Sequence, residues 1–184
     1  MPKKILVLDT ETTGFSAEKD DILQISMING KYDTVLNTYC KNVKKSEWPE
    51  AMKVNGITPE MVANELSASD YKNVVQHAID DADIIVHYNG QFDLRFLAGI
   101  GVTVPEHKKQ FDVMTAFMPI YGERFGNGNF KRKKLVDAAD YFKYKFNAHD
   151  SLEDCKATLY CYYKIVNPIR KIFRKPLRLL GIKI

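Results

Sequence analysis

Residues 4–14 read KILVLDTETTG, and the reading of this stretch decides the rest. Lys4–Leu8 is a short apolar run of the kind that forms a buried strand. Asp9, Thr10 and Glu11 follow at its end. Residues i and i+2 of a strand face the same side, so Asp9 and Glu11 would stand side by side next to an apolar run. Like charges so placed repel, and burial adds a desolvation cost. A bound divalent cation relieves both. The alternative is that the strand has already ended and both acids are solvated.

Working outward, Ile22–Ile28 (ILQISMI) alternates in part, Asn29-Gly30-Lys31 follows as a turn, and Thr34–Cys40 is rich in β-formers. Three antiparallel strands are expected. Thr58-Pro59 is a helix start, with Thr as N-cap and Pro at the first helical position. The spacing of Tyr71, Val74, Val75, Ala78 and Ile79 predicts a helix over Tyr71–Ala82. Asp83–His87 (DIIVH) reads as a buried strand, and Phe92–Ile100 as a helix. A short strand at Gln110–Asp112 precedes a helix over Val113–Tyr121, and Gly122–Asn129 (GERFGNGN) is a loop. Helices are expected over Leu135–Phe142 and Ser151–Val166, the latter ended by Asn167-Pro168 because the residue before proline is pushed out of the α region. The order βββ-α-β-α-(β)-α-α describes an α/β domain, a central mixed sheet flanked by helices.

Composition agrees with this class. The 184 residues are 45% hydrophobic and 27% charged, enough for one buried core and incompatible with disorder as the main state. Three cysteines without C-x-x-C spacing do not form a disulfide framework, which makes a cytoplasmic location the expectation. The apolar run before Asp9 is too short for a signal-peptide core, and no run approaches the ~20 apolar residues of a membrane span. The net charge of +4 is uneven: residues 169–184 hold six basic residues and no acid, leaving −2 for residues 1–168.

Two further segments bear chemistry-capable residues. Asp93 lies just past the Asp83–His87 strand, at a helix start, where it could also serve only to stabilise the helix dipole. Asp150 and Glu153 fit a D-x-x-E capping box, placing His149 just outside a helix and Asp154 within its first turns. A histidine beside metal-binding acids suits general-base work near neutral pH. Taken together, four carboxylates and one histidine point to hard divalent ions and hydrolysis at phosphorus. Zinc fits less well, since no Cys/His cluster has ligand spacing.

LDTETTG at Leu8–Gly14, NGQFDLRFL at Asn89–Leu97 and His149–Asp154, in this order, resemble the three motifs of the DEDD superfamily of 3′–5′ exonucleases. The variant is the one with histidine five residues before the last aspartate. Asn55-Gly56-Ile57-Thr58 and Phe111-Asp112 with Thr115 agree with it. The resemblance covers roughly residues 4–166, with a general likeness to the proofreading subunit of bacterial DNA polymerase III and its stand-alone relatives. It implies a ribonuclease H-like fold and two divalent ions, Mg²⁺ or Mn²⁺, held by Asp9, Glu11, Asp93 and Asp154. His149 would accept the proton of the attacking water. Thr10, Thr12, Phe15, Asn89 and Phe92 would meet the substrate, with core packing the alternative for both phenylalanines. The implied substrate is the 3′ end of single-stranded DNA. The alternatives are 3′–5′ trimming of RNA, or a module that binds nucleic acid or a polymerase without catalysis. Tyr88 stands where the family often has histidine, and His87 is taken as structural.

Lys131–Lys134 (KRKK) could meet substrate phosphates or simply be solvated. The resemblance and the charge distribution lead to an expected division into an exonuclease domain at 1–168 and a basic amphipathic tail at 169–184. In the tail, Ile169, Ile172 and Phe173 share a helical face among basic residues. The tail could pack on the domain, bind a polymerase or other acidic partner, or touch an anionic membrane, the last being the least expected.

Overall fold

The computed structural model describes residues 3–179, with side chains for 3–167. Its sheet has five strands: β1 (Ile5–Thr12), β2 (Ile22–Asn29), β3 (Thr34–Tyr39), β4 (Ile84–His87) and β5 (Lys109–Asp112). Their order is β3-β2-β1-β4-β5. β1, β2 and β3 pair antiparallel, whereas β4 runs parallel to β1 and β5 parallel to β4. The mixed sheet flanked by helices is therefore the architecture expected from the element order.

Helices α1 (Pro49–Asn55), α2 (Pro59–Val62), α3 (Lys72–Asp81) and α4 (Gln91–Gly99) precede β5. Helices α5 (Val113–Tyr121), α6 (Leu135–Tyr141) and α7 (Ser151–Leu179) follow it. Period-two alternation along β1 divides the core. Leu6 and Leu8 pack with Val75 and Ile79 of α3 and Phe96 and Leu97 of α4. Val7 faces the other way, onto Phe117 of α5 and Cys155 and Leu159 of α7. Each such fully buried side chain contributes about 1.5–3 kcal/mol. A third cluster joins Leu23 to Trp48, Ile57 and Val62, with Trp48 Nε1 donating to the Ile57 carbonyl at 2.7 Å.

Three details differ from expectation. β1 does not stop at Leu8 but continues to Thr12, because β2 supplies partners as far as Ile22. Asp9 and Glu11 are therefore on the strand, which has not ended before them, and both side chains are half-buried. Helix α1 is not among the expected elements; Pro49 opens it and Gly56, at φ +70°, closes it. Finally, α7 does not end at Asn167-Pro168 but runs to Leu179. Proline's fixed φ is itself helical, and extending a formed helix avoids the cost of nucleation, so the lost hydrogen bond does not stop it. The expected boundary at residue 168 thus falls inside a helix. The apolar face at Ile169, Ile172 and Phe173 and the tail's contacts lie outside the described side chains.

No helix among the described residues is long and apolar enough to cross a membrane. Cys40, Cys155 and Cys161 are free and buried.

Candidate active site

The parallel register between β1 and β4 ends at Val7↔Val86, while β1 continues to Thr12. The backbone of β1 beyond that point is open to another partner. Asp93, in the first turn of α4, takes it: Thr10 donates its backbone N–H to Asp93 Oδ1 at 3.0 Å and its hydroxyl to the same atom at 2.7 Å. This is the carboxyl end of the parallel strands, where the chain order reverses across the sheet, the usual place for a ligand in an α/β fold.

Asp9 and Glu11 lie opposite Ser26 and Gln24 in the antiparallel register. Those two polar residues of β2 hold the start of α7. Ser26 Oγ lies 2.6 Å from Ser151 Oγ, the Ser151 N–H donates to Gln24 Oε1 at 3.4 Å, and Cys155 Sγ donates to the Ser26 carbonyl at 3.4 Å. Asp150 caps the helix, accepting from the N–H groups of Leu152 and Glu153 at 3.0 and 3.2 Å. The reciprocal half of the expected capping box is not made, since Glu153 pairs with Lys156. His149 precedes the cap at φ +70°, a left-handed conformation that costs about 1–3 kcal/mol for a non-glycine residue. Its N–H donates to Asp154 Oδ2 at 3.2 Å. A strained turn therefore carries an exposed imidazole to the edge of the acid cluster.

Ligand atoms of Glu11, His149 and Asp154 all lie within 4.8 Å of one another. Asp9 and Asp93 complete the cluster electrostatically. Burial, then the charges of Asp93, Asp154 and Glu11, push Asp9 well above the usual carboxylate range. Burial and Asp154 raise Glu11 to about 7, against the opposing pull of the Asn55 amide. Asp93 also rises to about 7, through burial, although its bonds from Thr10 oppose the shift. Asp154 reaches about 7 through burial, opposed by the His149 N–H. Four crowded carboxylates, poorly hydrated and mutually repelling, form an oxygen donor set suited to a hard divalent cation.

The remaining expected site residues fall around this cluster. Thr10 is occupied by Asp93, and the Thr12 hydroxyl donates to the Gly14 carbonyl at 2.6 Å. Phe15 is 88% exposed and meets Phe92 edge-on, with ring centroids 6.3 Å apart. Core packing is thereby excluded for Phe15, while half-buried Phe92 leans on Phe96 at 5.0 Å. Asn89 is exposed at φ +59°, and its N–H donates to Asp112 Oδ1 at 3.1 Å. The same Asp112 oxygen caps α5 through the Met114 N–H at 2.9 Å. His87 is structural as expected. It is buried, its Nδ1 accepts from the Gly90 N–H at 3.2 Å, and burial lowers its basicity. The Tyr88 hydroxyl donates to the Lys133 carbonyl at 2.8 Å. A cleft of about 280 Å³ adjoins His149, lined also by Gln24, Tyr39, Asn55, Gly56 and Ala148.

Sequence reasoning missed Gln24, Ser26 and Ser151 as positioning residues. The signal was present: Gln24 and Ser26 are polar at i and i+2 inside an apolar strand, which marks one face as non-core.

The family model described as Exonuclease (RNase_T) matches residues 6–162. Ribonuclease T of Histophilus somni is 26% identical over 192 residues, covering 91% of this chain and 85% of that protein. The DNA polymerase III subunit epsilon of Haemophilus influenzae is 34% identical over 108 residues, 52% of this chain and 40% of that protein. Among solved structures, E. coli Exonuclease I in complex with a dA16 oligonucleotide superposes with a TM-score of 0.74 at 19% identity. That match covers 90% of this chain and 41% of the Exonuclease I chain, so the chain spans less than half of that protein.

Proposed function

The chain belongs to the DEDD-type 3′–5′ exonuclease family, and on that premise we propose that it removes nucleoside 5′-monophosphates from the 3′ ends of single-stranded DNA. The observation that carries the proposal is the convergence of Glu11, His149 and Asp154 within 4.8 Å beside half-buried Asp9 and buried Asp93.

Asp9, Glu11, Asp93 and Asp154 would hold two divalent cations, Mg²⁺ or Mn²⁺, and the donor set fits them because it offers only crowded carboxylate oxygens. Such ions supply polarisation of the phosphate and stabilise the attacking and leaving oxygens. His149 accepts the proton of the attacking water, and its oxygen adds to the terminal phosphorus. The bond to the 3′ oxygen of the penultimate nucleotide breaks, and that oxygen takes a proton from solvent and leaves as a hydroxyl. The left-handed turn at His149, locked by the Asp150 cap and the N–H bond to Asp154, holds the imidazole toward the reacting phosphate. Thr10 fixes Asp93. Exposed Phe15, backed by Phe92, presents an aromatic face to a terminal base of any identity. Thr12, Asn89 and the backbone around Thr10 border the terminal nucleotide.

A second reading, trimming of RNA, is favoured by one observation: the match to Ribonuclease T covers 85% of that protein. The polymerase relatives support the first reading and a role beside a polymerase. Three free, buried cysteines fit a cytoplasmic setting.

The test is a gel of 5′-labelled DNA and RNA strands of one sequence, incubated with Mg²⁺ or Mn²⁺. DNA shortening from its 3′ end faster than RNA supports the first reading, and the reverse order supports the second. Intact strands in every lane overturn both.

A further inference from the structure

Among residues 1–168, positive charge is concentrated in one place. The segment 123–134 holds five basic residues and one acid, whereas the other residues of 1–168 hold 16 basic and 22 acidic. The segment is folded upon itself. An isolated bridge pairs Arg124 with Phe130, and the Arg124 guanidinium lies 3.7 Å from the centre of the Phe130 ring. Lys131 and Lys133 both pair with Glu123, and they lie over the rings of Phe125 and Tyr121 at 5.5 and 4.2 Å. Burial then alternates along the run. Lys131 and Lys133 are half-buried, while Arg132 and Lys134 are exposed. Arg132 makes no hydrogen bond or ion pair among the described residues. Phe125 and Tyr121 also remain exposed, at 54% and 41%.

This surface is anchored to the catalytic end of the sheet. The Lys133 carbonyl accepts from Tyr88, five residues before Asp93 and next to Asn89. Cations interleaved with exposed aromatic faces, on an otherwise acidic domain, are the chemistry of single-stranded nucleic acid binding.

The geometry points to segment 121–134 as the docking surface for the substrate strand on the 5′ side of the scissile bond, with Arg132 and Lys134 on phosphates and Phe125 and Tyr121 on bases. This rests on the proposed 3′–5′ exonuclease reading. A strand whose 3′ end lies among the four carboxylates can extend outward only in the 5′ direction. The two cations held by Glu123 stiffen the surface, Arg124 is engaged by the Phe130 ring and the Gly128 carbonyl, and Arg132 and Lys134 are left for the ligand.

The experiment measures binding without cleavage, so it does not depend on activity. Fluorescein-labelled oligothymidylates of about four and about sixteen nucleotides, the range of single-strand site sizes, are titrated with the 184-residue protein in EDTA across a salt series. For R132A/K134A, the log Kd–log salt slope of the long strand should fall by about 1.4, two contacts at about 0.7 each. The short strand should show an unchanged slope, and thermal melting should be unchanged because both side chains are exposed. F125A should weaken long-strand binding about equally at low and high salt. An unaltered slope for the long strand overturns the proposal. So does an equal loss on the short strand, which would place the two cations at the terminal nucleotide. Absence of exonuclease activity with the slope change intact would refute the enzymatic reading and leave the strand-docking surface standing.

Discussion

Thr10 gives both of its donors, backbone N–H and hydroxyl, to the single oxygen Oδ1 of Asp93. One residue of β1 thereby fixes the carboxylate contributed by α4, and it does so from between Asp9 and Glu11, whose side chains leave the opposite face of the strand. Asp93 is 4% exposed, so the orientation is not shared with solvent. Replacing Thr10 with Val keeps the β-branched shape and the N–H bond but removes the hydroxyl. Partners of this kind around a metal ligand are typically worth about 10–100-fold in metal affinity or activity. T10V should raise the Mn²⁺ concentration needed for half-maximal activity within that range, and T10S should restore it. Activity titrated against Mn²⁺ in the three proteins is the check.

His149 stands outside α7 and is exposed, so its loss should not unfold the protein. H149A should lower turnover about 10²–10⁴-fold, the usual contribution of a general base, with melting temperature and metal binding nearly unchanged. Steady-state turnover beside calorimetric Mn²⁺ titration separates the two effects. Unchanged turnover would remove His149 from the mechanism.

The crowded carboxylates predict an unusual dependence of stability on pH. Glu11, Asp93 and Asp154 have folded-state values near 7 against ordinary values of 4.5, 3.8 and 3.8. Between these limits the folded protein binds more protons than the unfolded chain. Stability therefore falls as pH rises through about 4 to 7, opposite to the behaviour of acids held in ion pairs. Metal-free protein should melt at a lower temperature at pH ~8 than at pH ~5. Divalent metal should raise the melting temperature more at the higher pH. Thermal scans with EDTA and with Mg²⁺ at both values test this, and D9N should melt higher than wild type in EDTA at pH ~8.

Gly90 is needed for a steric reason. A Cβ there would lie 2.1 Å from His87 Cγ, and that ring is buried and bonded to the Gly90 N–H. G90A should destabilise the protein by about 1–3 kcal/mol, the range for overpacking a core site. Because Gly90 precedes α4, activity should fall with stability as Asp93 shifts. Chemical denaturation and specific activity of G90A are the readouts.

Much of this site is legible in the amino-acid sequence, because its residues sit where local rules are strong. The apolar run ending in Asp9-Thr10-Glu11 reads as a strand with two acids on one face. The D-x-x-E pattern at Asp150 places the start of α7 correctly. Non-local packing is not legible in this way. Nothing near Thr10 in sequence says that its hydroxyl bonds a carboxylate 83 positions away. Likewise, the contact between Ser26 and Ser151 depends on how α7 docks on β2. Pro168 misleads for a related reason, since a local proline rule cannot weigh a helix already formed and packed through Ile165. Phe15 and Phe92 look equivalent in composition, yet only the fold shows one exposed and the other half-buried.

The central claim is that Asp9, Glu11, Asp93, Asp154 and His149 form one metal-dependent hydrolytic centre. Its most direct test is the release of nucleoside 5′-monophosphate from a single-stranded 3′ end, followed against Mn²⁺ concentration for wild type and D154N. Release should rise with metal and saturate in wild type, stop on addition of EDTA, and be lost in D154N while that protein stays folded. Release that persists in EDTA, or that D154N carries out at the wild-type rate, would contradict the account.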